Sequence, residues 1–212
     1  MRLILFGAPG AGKGTLAALL KEQYGLAHIS TGDMLREEMR SGSSLGNQIK
    51  QFIEKGELVP DEVVTKLIEQ KLTNGQSLSQ GFMLDGFPRT QKQAEDLDRI
   101  LKKVNSSIDF ALYLESSRET IIKRLSGRRV CKKCGALFNK TFKPPKKEGV
   151  CDACGGELYQ RSDDNEQTIK NRLQVYLENT APIMEYYRRQ NKLKTEDVED
   201  GVEHVARKFK QL

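Results

Sequence analysis

Three short segments of the chain are apolar at nearly every position. They are residues 2–6 (RLILF), 81–85 (GFMLD) and 110–115 (FALYLE). A half-exposed strand alternates between apolar and polar residues, whereas a strand buried on both faces does not. We therefore predict three buried strands, as in a parallel sheet that is covered by helices on both faces.

Amphipathic segments of helical length follow these apolar runs. Residues 16–25 predict a helix that ends at Gly25, and residues 90–103 predict a second helix. Ser116 and Glu119 have the spacing of a capping box, which predicts that a third helix begins there. The alternation of strands and helices indicates an α/β fold.

Residues 127–164 interrupt this alternation. The stretch is rich in Lys, Gly, Pro and Cys and has no helical period, so we interpret it as an insertion. Beyond it, Asp164 and Gln167 predict the start of a long helical stretch. Pro182 is expected to kink or end that stretch, because proline cannot donate the helical hydrogen bond.

The composition is that of an ordinary globular chain. Of 212 residues, 37% are hydrophobic and 30% are charged, which suggests one large domain or a domain with insertions. No apolar run approaches the roughly 18 residues of a membrane helix, and no secretory leader is recognisable. The net charge of +6 is spread along the chain and suits nucleic acid or phosphorylated small molecules. We expect a cytoplasmic protein that does not bind membranes.

A glycine-rich loop, GAPGAGKGT at residues 7–15, joins the first strand to the first helix. Glycines let backbone N–H groups close around phosphate oxygens, and Lys13 adds a full charge to the partial charge of the helix N-terminus. The usual pattern of such a phosphate-binding P-loop is G-x-x-x-x-G-K-[ST]. Here Gly14 occupies the position of the hydroxyl residue, and Thr15 follows it. Asp85 ends the second apolar run, and P-loop enzymes often hold Mg²⁺ through water with an aspartate in that position. These features predict a nucleotide site.

All four cysteines lie in the insertion. Their pattern is Cys131-x-x-Cys134, then 16 residues, then Cys151-x-x-Cys154, which is typical of zinc sites. Four thiolates would close the coordination sphere, so we expect a structural metal. Iron on the same ligands and two disulfides are the alternatives, although a reducing compartment disfavours disulfides.

Several motifs together resemble the adenylate kinases. Besides the glycine-rich loop they are STGDMLR (30–36), LDGFPRT (84–90), RSDD (161–164) and TAPIMEYY (180–187), so the resemblance covers almost the whole chain. The cysteine segment is similar to the long lid of bacterial members that bind zinc. The resemblance implies a P-loop nucleoside-monophosphate kinase fold with a core at 1–29, 60–126 and 165–212, an AMP-binding domain at 30–59 and a zinc-binding lid at 127–164.

The resemblance also implies the reaction MgATP + AMP ⇌ 2 ADP in a monomer, and it assigns residues to it. Catalytic cations that align the phosphates would be Lys13, Arg89, Arg124, Arg128, Arg161 and Arg172. Contacts to ATP would come from Gly10, Ala11, Gly12, Lys13, Gly14, Thr15, Arg128, Leu137, Phe138 and Glu203. Contacts to AMP would come from Thr31, Arg36, Glu57, Leu58, Val59, Gly86, Phe87, Pro88, Arg89, Gln93, Arg161 and Arg172. Asp85 would serve Mg²⁺.

The chemistry of phosphoryl transfer favours these arginine roles independently, because guanidinium groups grip two phosphate oxygens in one plane. Arg124 and Arg128 are four residues apart and would share a helix face if the helix continued through Gly127. His28 and His204 are interpreted as structural residues. The sequence therefore predicts a phosphate site that needs no strong general base.

Two other functions remain open at this point. A kinase of the same fold that acts on UMP or CMP differs only in its base contacts, for which Thr31 and Gln93 favour adenine by resemblance. A zinc-ribbon protein that binds nucleic acid would explain the basic charge and the cysteines, but it would not need the glycine-rich loop or DGFPR. We expect adenine nucleotides as partners and no nucleic acid.

Overall fold

The protein, seen in a computed structural model, is described over residues 1–73 and 80–211. Its centre is a five-stranded sheet of order β2-β3-β1-β4-β8, in which all neighbouring strands are parallel. The strands are β1 Arg2–Phe6, β2 Ala27–Ser30, β3 Phe82–Asp85, β4 Phe110–Glu115 and β8 Leu193–Asp197. The three predicted buried strands are confirmed as β1, β3 and β4, side by side in the middle of the sheet.

Helices connect the strands and cover the sheet. They are α1 Lys13–Tyr24, α2 Thr31–Arg40, α3 Ser44–Lys55, α4 Asp61–Thr73, α5 Gln91–Lys103, α6 Arg118–Gly127, α7 Glu166–Val175, α8 Ile183–Arg189 and α9 Glu203–Lys208. Across both described ranges, each helix is too short or too polar to cross a membrane.

The two faces of the sheet have separate apolar cores. Ile4 and Phe6 pack in one core, and Leu3 and Leu5 pack in the other. Successive side chains of a strand point to opposite faces, so β1 must be apolar at both sets of positions. This double burial explains the continuous apolar runs in the sequence.

The insertion forms a small sheet of its own. Strands β5 Arg128–Cys131, β6 Leu137–Asn139 and β7 Leu158–Tyr159 pair antiparallel in the order β6-β5-β7. The expectation that this stretch lacks helical structure agrees with the strands and turns found there, apart from a 3₁₀ turn over Ser162–Asp164. This small sheet brings the four cysteines together.

The predicted start of α6 was wrong by one residue. The N-cap is Ser117 and not Ser116: the Ser117 Oγ accepts a hydrogen bond from the Thr120 N–H, and both serine hydroxyls donate to Glu199. At its other end α6 stops at Gly127, and Arg128 is already extended.

The helical stretch after the insertion is also more broken than predicted. Asn165 caps α7, which therefore begins one to two residues after the predicted start. A π-helical turn over Tyr176–Thr180 follows α7, and Pro182 stands immediately before α8, which confirms the predicted interruption.

Candidate active site

The glycine-rich loop forms the connection between β1 and α1. Gly7, Gly10 and Gly12 have φ values of 141°, 92° and 103°, which side chains with a Cβ rarely adopt. Lys13 opens α1, and its Nζ donates to the carbonyl oxygens of Gly7 and Ala8 at 2.7 and 3.0 Å. Within residues 1–73 and 80–211, no side chain caps the N-terminus of this helix. The loop therefore offers backbone N–H groups and a nearby cation to an anion.

Five arginines from different elements form a cation cluster, and the charges of three of them, Arg89, Arg128 and Arg172, act on the half-buried Lys13. The five are Arg36 in α2, Arg89 before α5, Arg128 in β5, Arg161 before the 3₁₀ turn and Arg172 in α7. Burial and the charges of Arg128 and its neighbours lower the pKa values of Arg161 and Arg172 to about 10. These groups stay charged at neutral pH, so the cluster is a strongly positive site.

Two adjacent aspartates lie within this cluster. Asp164, whose side chain is fully buried, accepts hydrogen bonds from Nε and Nη2 of Arg128 and lies 3.3 Å from Arg172 Nη1. Asp163 Oδ2 lies 2.8 Å from the same Arg172 atom. Burial opposes ionisation of Asp163, but Arg172 and the other arginines outweigh it and lower its pKa. The aspartates hold the insertion and α7 together through their arginine partners.

Asp85 lies at the carboxyl end of β3, beside the glycine-rich loop. A Cβ placed on Gly14 would lie 3.8 Å from Asp85 Oδ2, so the carboxylate faces the start of α1. His28 Nε2 is 3.3 Å from the same oxygen. Burial opposes ionisation of Asp85, but the hydrogen bond with His28 and the charge of Lys13 outweigh burial and lower the Asp85 pKa. An ionised carboxylate at this place fits a divalent cation.

Lys13 carries a net electrostatic penalty in the folded protein. Burial lowers its pKa to about 8, the charge of Asp85 opposes this effect, and the charges of Arg89, Arg172 and Arg128 add to it. At neutral pH the ammonium group remains mostly protonated. An anion placed among these cations would relieve the penalty.

A cavity with about 610 Å³ of space, part of it open to solvent, lies beside the cluster. Most predicted AMP contacts line it, namely Thr31, Arg36, Glu57, Leu58, Val59, Gly86, Arg89, Gln93 and Arg172. Gly86 has φ +79°, and a Cβ there would come within 2.8 Å of Thr31 Oγ1, which explains why glycine stands at this position. Sequence reasoning missed six lining residues, Gly32, Leu35, Ile53, Gly56, Val64 and Asp163.

Three of the predicted AMP contacts lie elsewhere. Phe87 is 1% exposed and packs in a core of the sheet, so its side chain does not reach the cavity. Pro88 lines a second cleft of about 500 Å³ beside Lys13. Arg161 joins the cation cluster, where its Nε is buried and has no hydrogen-bond partner in the described part of the chain.

Arg124 does not join the cluster around Lys13. Its Nη2 donates to the carbonyl oxygens of Val198 and Glu199 at 2.7 and 2.9 Å, and its guanidinium lies 5.6 Å from the centre of the Phe142 ring. Because α6 ends at Gly127, Arg124 and Arg128 do not share a helix face. The condition for a shared face, a helix that continues past Gly127 to Arg128, is therefore not met.

The remaining predicted ATP contacts lie on different sides of the loop. Leu137 approaches the glycine-rich loop, since a Cβ on Gly14 would be 3.1 Å from its Cδ1. Phe138 is buried with the cysteines, as expected for the next residue of a strand. Glu203 opens α9, and its carboxylate lies so close to Gly201 that a Cβ there would be 2.5 Å away. The buried side chain of Phe138 leaves only its backbone as a ligand contact, whereas Glu203 is exposed.

The four cysteine sulfurs form one compact cluster in the small sheet. All four Sγ atoms lie within 4.8 Å of one another, and two pairs are 3.5 and 3.6 Å apart. Tetrahedral thiolates at the usual zinc–sulfur distance would be about 3.8 Å apart, whereas a disulfide needs about 2.05 Å. All four cysteines are free thiols. Four ligands converging on one point can hold a metal ion.

Known proteins are similar to this chain over almost its whole length. The family model described as adenylate kinase matches residues 5–192. The chain is similar to an adenylate kinase of Geobacillus sp. (strain WCH70), with 46% identity over 212 residues that cover all of this chain and 98% of the relative. It is also similar to an adenylate kinase of Caldicellulosiruptor bescii, with 49% identity over all of this chain and 97% of the relative. An adenylate kinase of Methanocella arvoryzae is 48% identical, with 97% and 95% coverage. The chain belongs to the adenylate kinase family.

Proposed function

We propose that the protein catalyses reversible phosphoryl transfer between nucleotides, MgATP + AMP ⇌ 2 ADP. The observation that carries the proposal is a cluster of five arginines, three of which (Arg89, Arg128 and Arg172) act on Lys13 of the glycine-rich loop. Phosphoryl transfer asks the protein mainly for alignment and for stabilisation of charge spread over phosphate oxygens. A dense, partly buried group of guanidinium forks meets both demands.

The 610 Å³ cavity is assigned to AMP. Its buried lining consists of the apolar side chains of Leu35, Val59 and Val64 and the amide of Gln93. Its half-buried lining includes Arg36, Arg89 and Arg172. A base in the apolar part and a phosphate among the arginines would fit this gradient, because an amide can donate and accept hydrogen bonds at once.

ATP is assigned to the opposite side of Lys13. The backbone of residues 10–15 would hold its phosphates, and Lys13 would leave the carbonyl oxygens of Gly7 and Ala8 to meet them. Arg124 lies between the Phe142 ring and the loop at 198–199, so its flat guanidinium is better placed for the base end of ATP than for a phosphate. This changes the role that the sequence predicted for Arg124.

Two metal ions complete the proposal. Mg²⁺ would screen charge on the phosphates of ATP and be oriented, through water, by Asp85. Zinc is the preferred occupant of the cysteine cluster, because sulfur spacing and free thiols suit a closed tetrahedral site and four thiolates leave no position for water. Its role would be to hold the small sheet, which is too small to build a core.

The proposed division of the chain follows these assignments. Residues 30–59 contribute α2 and α3 and would form the AMP-binding domain, residues 127–164 would form the lid, and the rest would form the core. Closure of the lid would exclude water from the transferred group. We also propose a monomer in a reducing compartment such as the cytoplasm, which the free thiols favour. Light scattering of the purified protein tests the monomer.

A substrate panel tests the function directly. Turnover with MgATP is measured with AMP, GMP, UMP and CMP as acceptors, and kcat/KM for AMP is expected to be at least a hundredfold the others. A site that hydrogen-bonds the edge of one base leaves buried polar groups unpaired when a different base occupies it. A better rate with UMP or CMP would instead identify a pyrimidine kinase of the same fold.

A further inference from the structure

The side-chain amide of Gln93 is held by two neighbours. Gln93 is 2% exposed and lies in the first turn of α5. Its Oε1 accepts a hydrogen bond from the backbone N–H of Arg89 at 2.7 Å, and its Nε2 donates to Asp61 Oδ1, also at 2.7 Å. Asp61 is the first residue of α4. Two elements of the core thus grip opposite ends of one amide.

The chemistry of these neighbours fixes which way the amide points. A backbone N–H can only donate, and an ionised carboxylate can only accept. Turning the Gln93 amide over would place its NH₂ group against the Arg89 N–H and its oxygen against the Asp61 carboxylate. Both contacts would become repulsive and both buried groups would lose their partners. The amide therefore has one stable orientation.

Each end of the amide keeps one hydrogen-bonding position free of these neighbours. Nε2 has a second N–H and Oε1 has a second lone pair, and Gln93 lines the 610 Å³ cavity together with Thr31 and Val59. The purine bases differ at this kind of contact, because the exocyclic group of adenine donates and that of guanine accepts. An amide that pairs with adenine must turn over to pair with guanine.

Asp61 is held where α4 meets α5 by more buried hydrogen bonds than its neighbour Glu62. Its other oxygen, Oδ2, accepts from the Thr90 hydroxyl at 2.9 Å, and that hydroxyl in turn caps α5 by accepting from the Gln93 N–H at 3.1 Å. Glu62, the next residue, only forms an exposed ion pair with Lys92. A surface pair of that kind contributes little.

We propose that Asp61 determines base specificity by positioning: it fixes the orientation of the Gln93 amide that accepts adenine and disfavours guanine. The proposal rests on the proposed function, in which Gln93 reads the base of the acceptor nucleotide. Asp61 itself does not line the cavity among the described residues, so it acts through Gln93.

The test compares Asp61→Asn with the wild type and with Glu62→Gln as the matched control. In each, kcat/KM is measured for AMP and for GMP with saturating MgATP. Asparagine keeps the shape but can present either a donor or an acceptor, which leaves the Arg89 N–H as the remaining constraint on the amide. We expect the AMP:GMP ratio to fall about tenfold, the KM for ATP to stay unchanged, and Glu62→Gln to match the wild type.

The ratio separates positioning from a merely structural role. If Asp61 only stabilises the corner of α4 and α5, then Asp61→Asn lowers the melting temperature and affects both nucleotides equally, and the proposal is overturned. Should Asp61→Asn fail to fold, Asp61→Ser, whose hydroxyl suits a helix N-terminus, supplies the same ratio.

Gln93→Leu separates this proposal from the function on which it rests. A Gln93→Leu enzyme with normal selectivity would show that Gln93 does not read the base, and both ideas would fail. Lost selectivity in Gln93→Leu with retained selectivity in Asp61→Asn would overturn only the role of Asp61. If Gln93 reads the base and Asp61 acts through Gln93, then adding Asp61→Asn to Gln93→Leu should not change the AMP:GMP ratio further.

Discussion

The cation cluster and the cysteine cluster both gather groups of one kind, but they differ in what balances them. Around Lys13 the aspartates at positions 85, 163 and 164 offset part of the positive charge. The four sulfurs have no charged partner in the contacts described for them; they lie within 4.8 Å of one another, and Cys131, Cys151 and Cys154 pack with Phe138 and Leu158. One cluster is partly neutralised by the chain itself, and the other is completed only by a ligand.

The difference suits the two proposed tasks. A nucleotide site must bind and release its ligands in every turnover, so it must remain stable while they are absent. Aspartates that pair with the arginines in the meantime provide that stability. A structural metal is never released, so the cysteine cluster can depend on it completely. Disturbing the first cluster should therefore change catalysis most, and disturbing the second should change stability.

The largest effect is expected from Lys13→Met. This change should lower kcat by about a hundredfold to a thousandfold, since an oriented contact to charge that develops in the transition state contributes about 3–4 kcal/mol. Folding should survive, because a partly buried charge is replaced by an apolar side chain of similar length. Steady-state kinetics and thermal unfolding check both points. Lys21→Met, on the exposed side of the same helix, is the control, and near-normal turnover in folded Lys13→Met would refute the assignment of the loop.

Loss of two cysteines should produce the opposite pattern. Replacing Cys131 and Cys134 with serine should release the metal and lower the melting temperature by roughly 10 °C. Isolated zinc fingers gain about 10 kcal/mol from their metal, but this lid is tethered to a folded core at both ends, so its loss should be smaller. Below the new melting temperature the variant should keep a substantial fraction of kcat.

Metal analysis, a thiol count and kinetics check this second prediction. Lys132→Ser, an exposed residue between the two cysteines, controls for changes to the strand end. Two disulfides and no metal in the wild type would end the metal proposal. Turnover reduced a thousandfold in a folded, metal-free variant would mean that the ion also orders the lid arginines, and the contrast between the two clusters would break.

Asp164→Asn tests whether the aspartates stabilise the cation cluster. The side chain of Asp164 is fully buried between Arg128 and Arg172. Removing its charge should destabilise the protein by about 3–5 kcal/mol, because the two buried cations lose an ionic partner. The control is Glu166→Gln, which breaks an exposed pair with Lys170 and should cost less than about 1 kcal/mol. Equal melting temperatures for the two variants would show that the cluster does not need its aspartates.

How much the sequence could predict differs between these regions for a physical reason. Continuous apolar runs identified β1, β3 and β4, because burial on both faces leaves a strong compositional signal. The edge strands β2 and β8 gave no such signal: in β8 none of the residues Leu193–Asp197 is fully buried. Cysteine spacing likewise predicted the cluster of sulfurs, since local sequence determines most of that site.

The active site was predictable as a set of residues but not as an arrangement. Arg124 was expected among the phosphates, yet the end of α6 at Gly127 turns Arg128 toward Asp164 and leaves Arg124 with the carbonyls at 198 and 199. Contacts such as that between Asp61 and Gln93 join residues 32 positions apart. No periodicity or spacing within the chain encodes such a contact, and only the packing of α4 beside α5 creates it.

The smallest expected effect is the pH dependence of stability that Lys13 contributes. The pKa of Lys13 falls from its ordinary value of 10.5 to about 8 in the folded protein, chiefly because of burial. Between pH 8 and 10.5 the unfolded chain therefore binds more protons at this residue than the folded protein does. Under that condition the free energy of unfolding rises with pH, by at most about 1.4 kcal/mol per pH unit.

The measurement is the difference in free energy of unfolding between wild type and Lys13→Met, followed from pH 7 to 10.5. Groups shared by both proteins largely cancel, so a difference that moves in favour of the wild type above pH 8 isolates Lys13. Saturating ATP and AMP should remove this slope, because phosphates beside Lys13 favour its charged form and raise its pKa again. A flat difference without nucleotide would mean that Asp85 already neutralises Lys13 completely. Lys13 would then behave like a member of a structural ion pair, and only the arginines of the cation cluster would be stabilised by a bound phosphate.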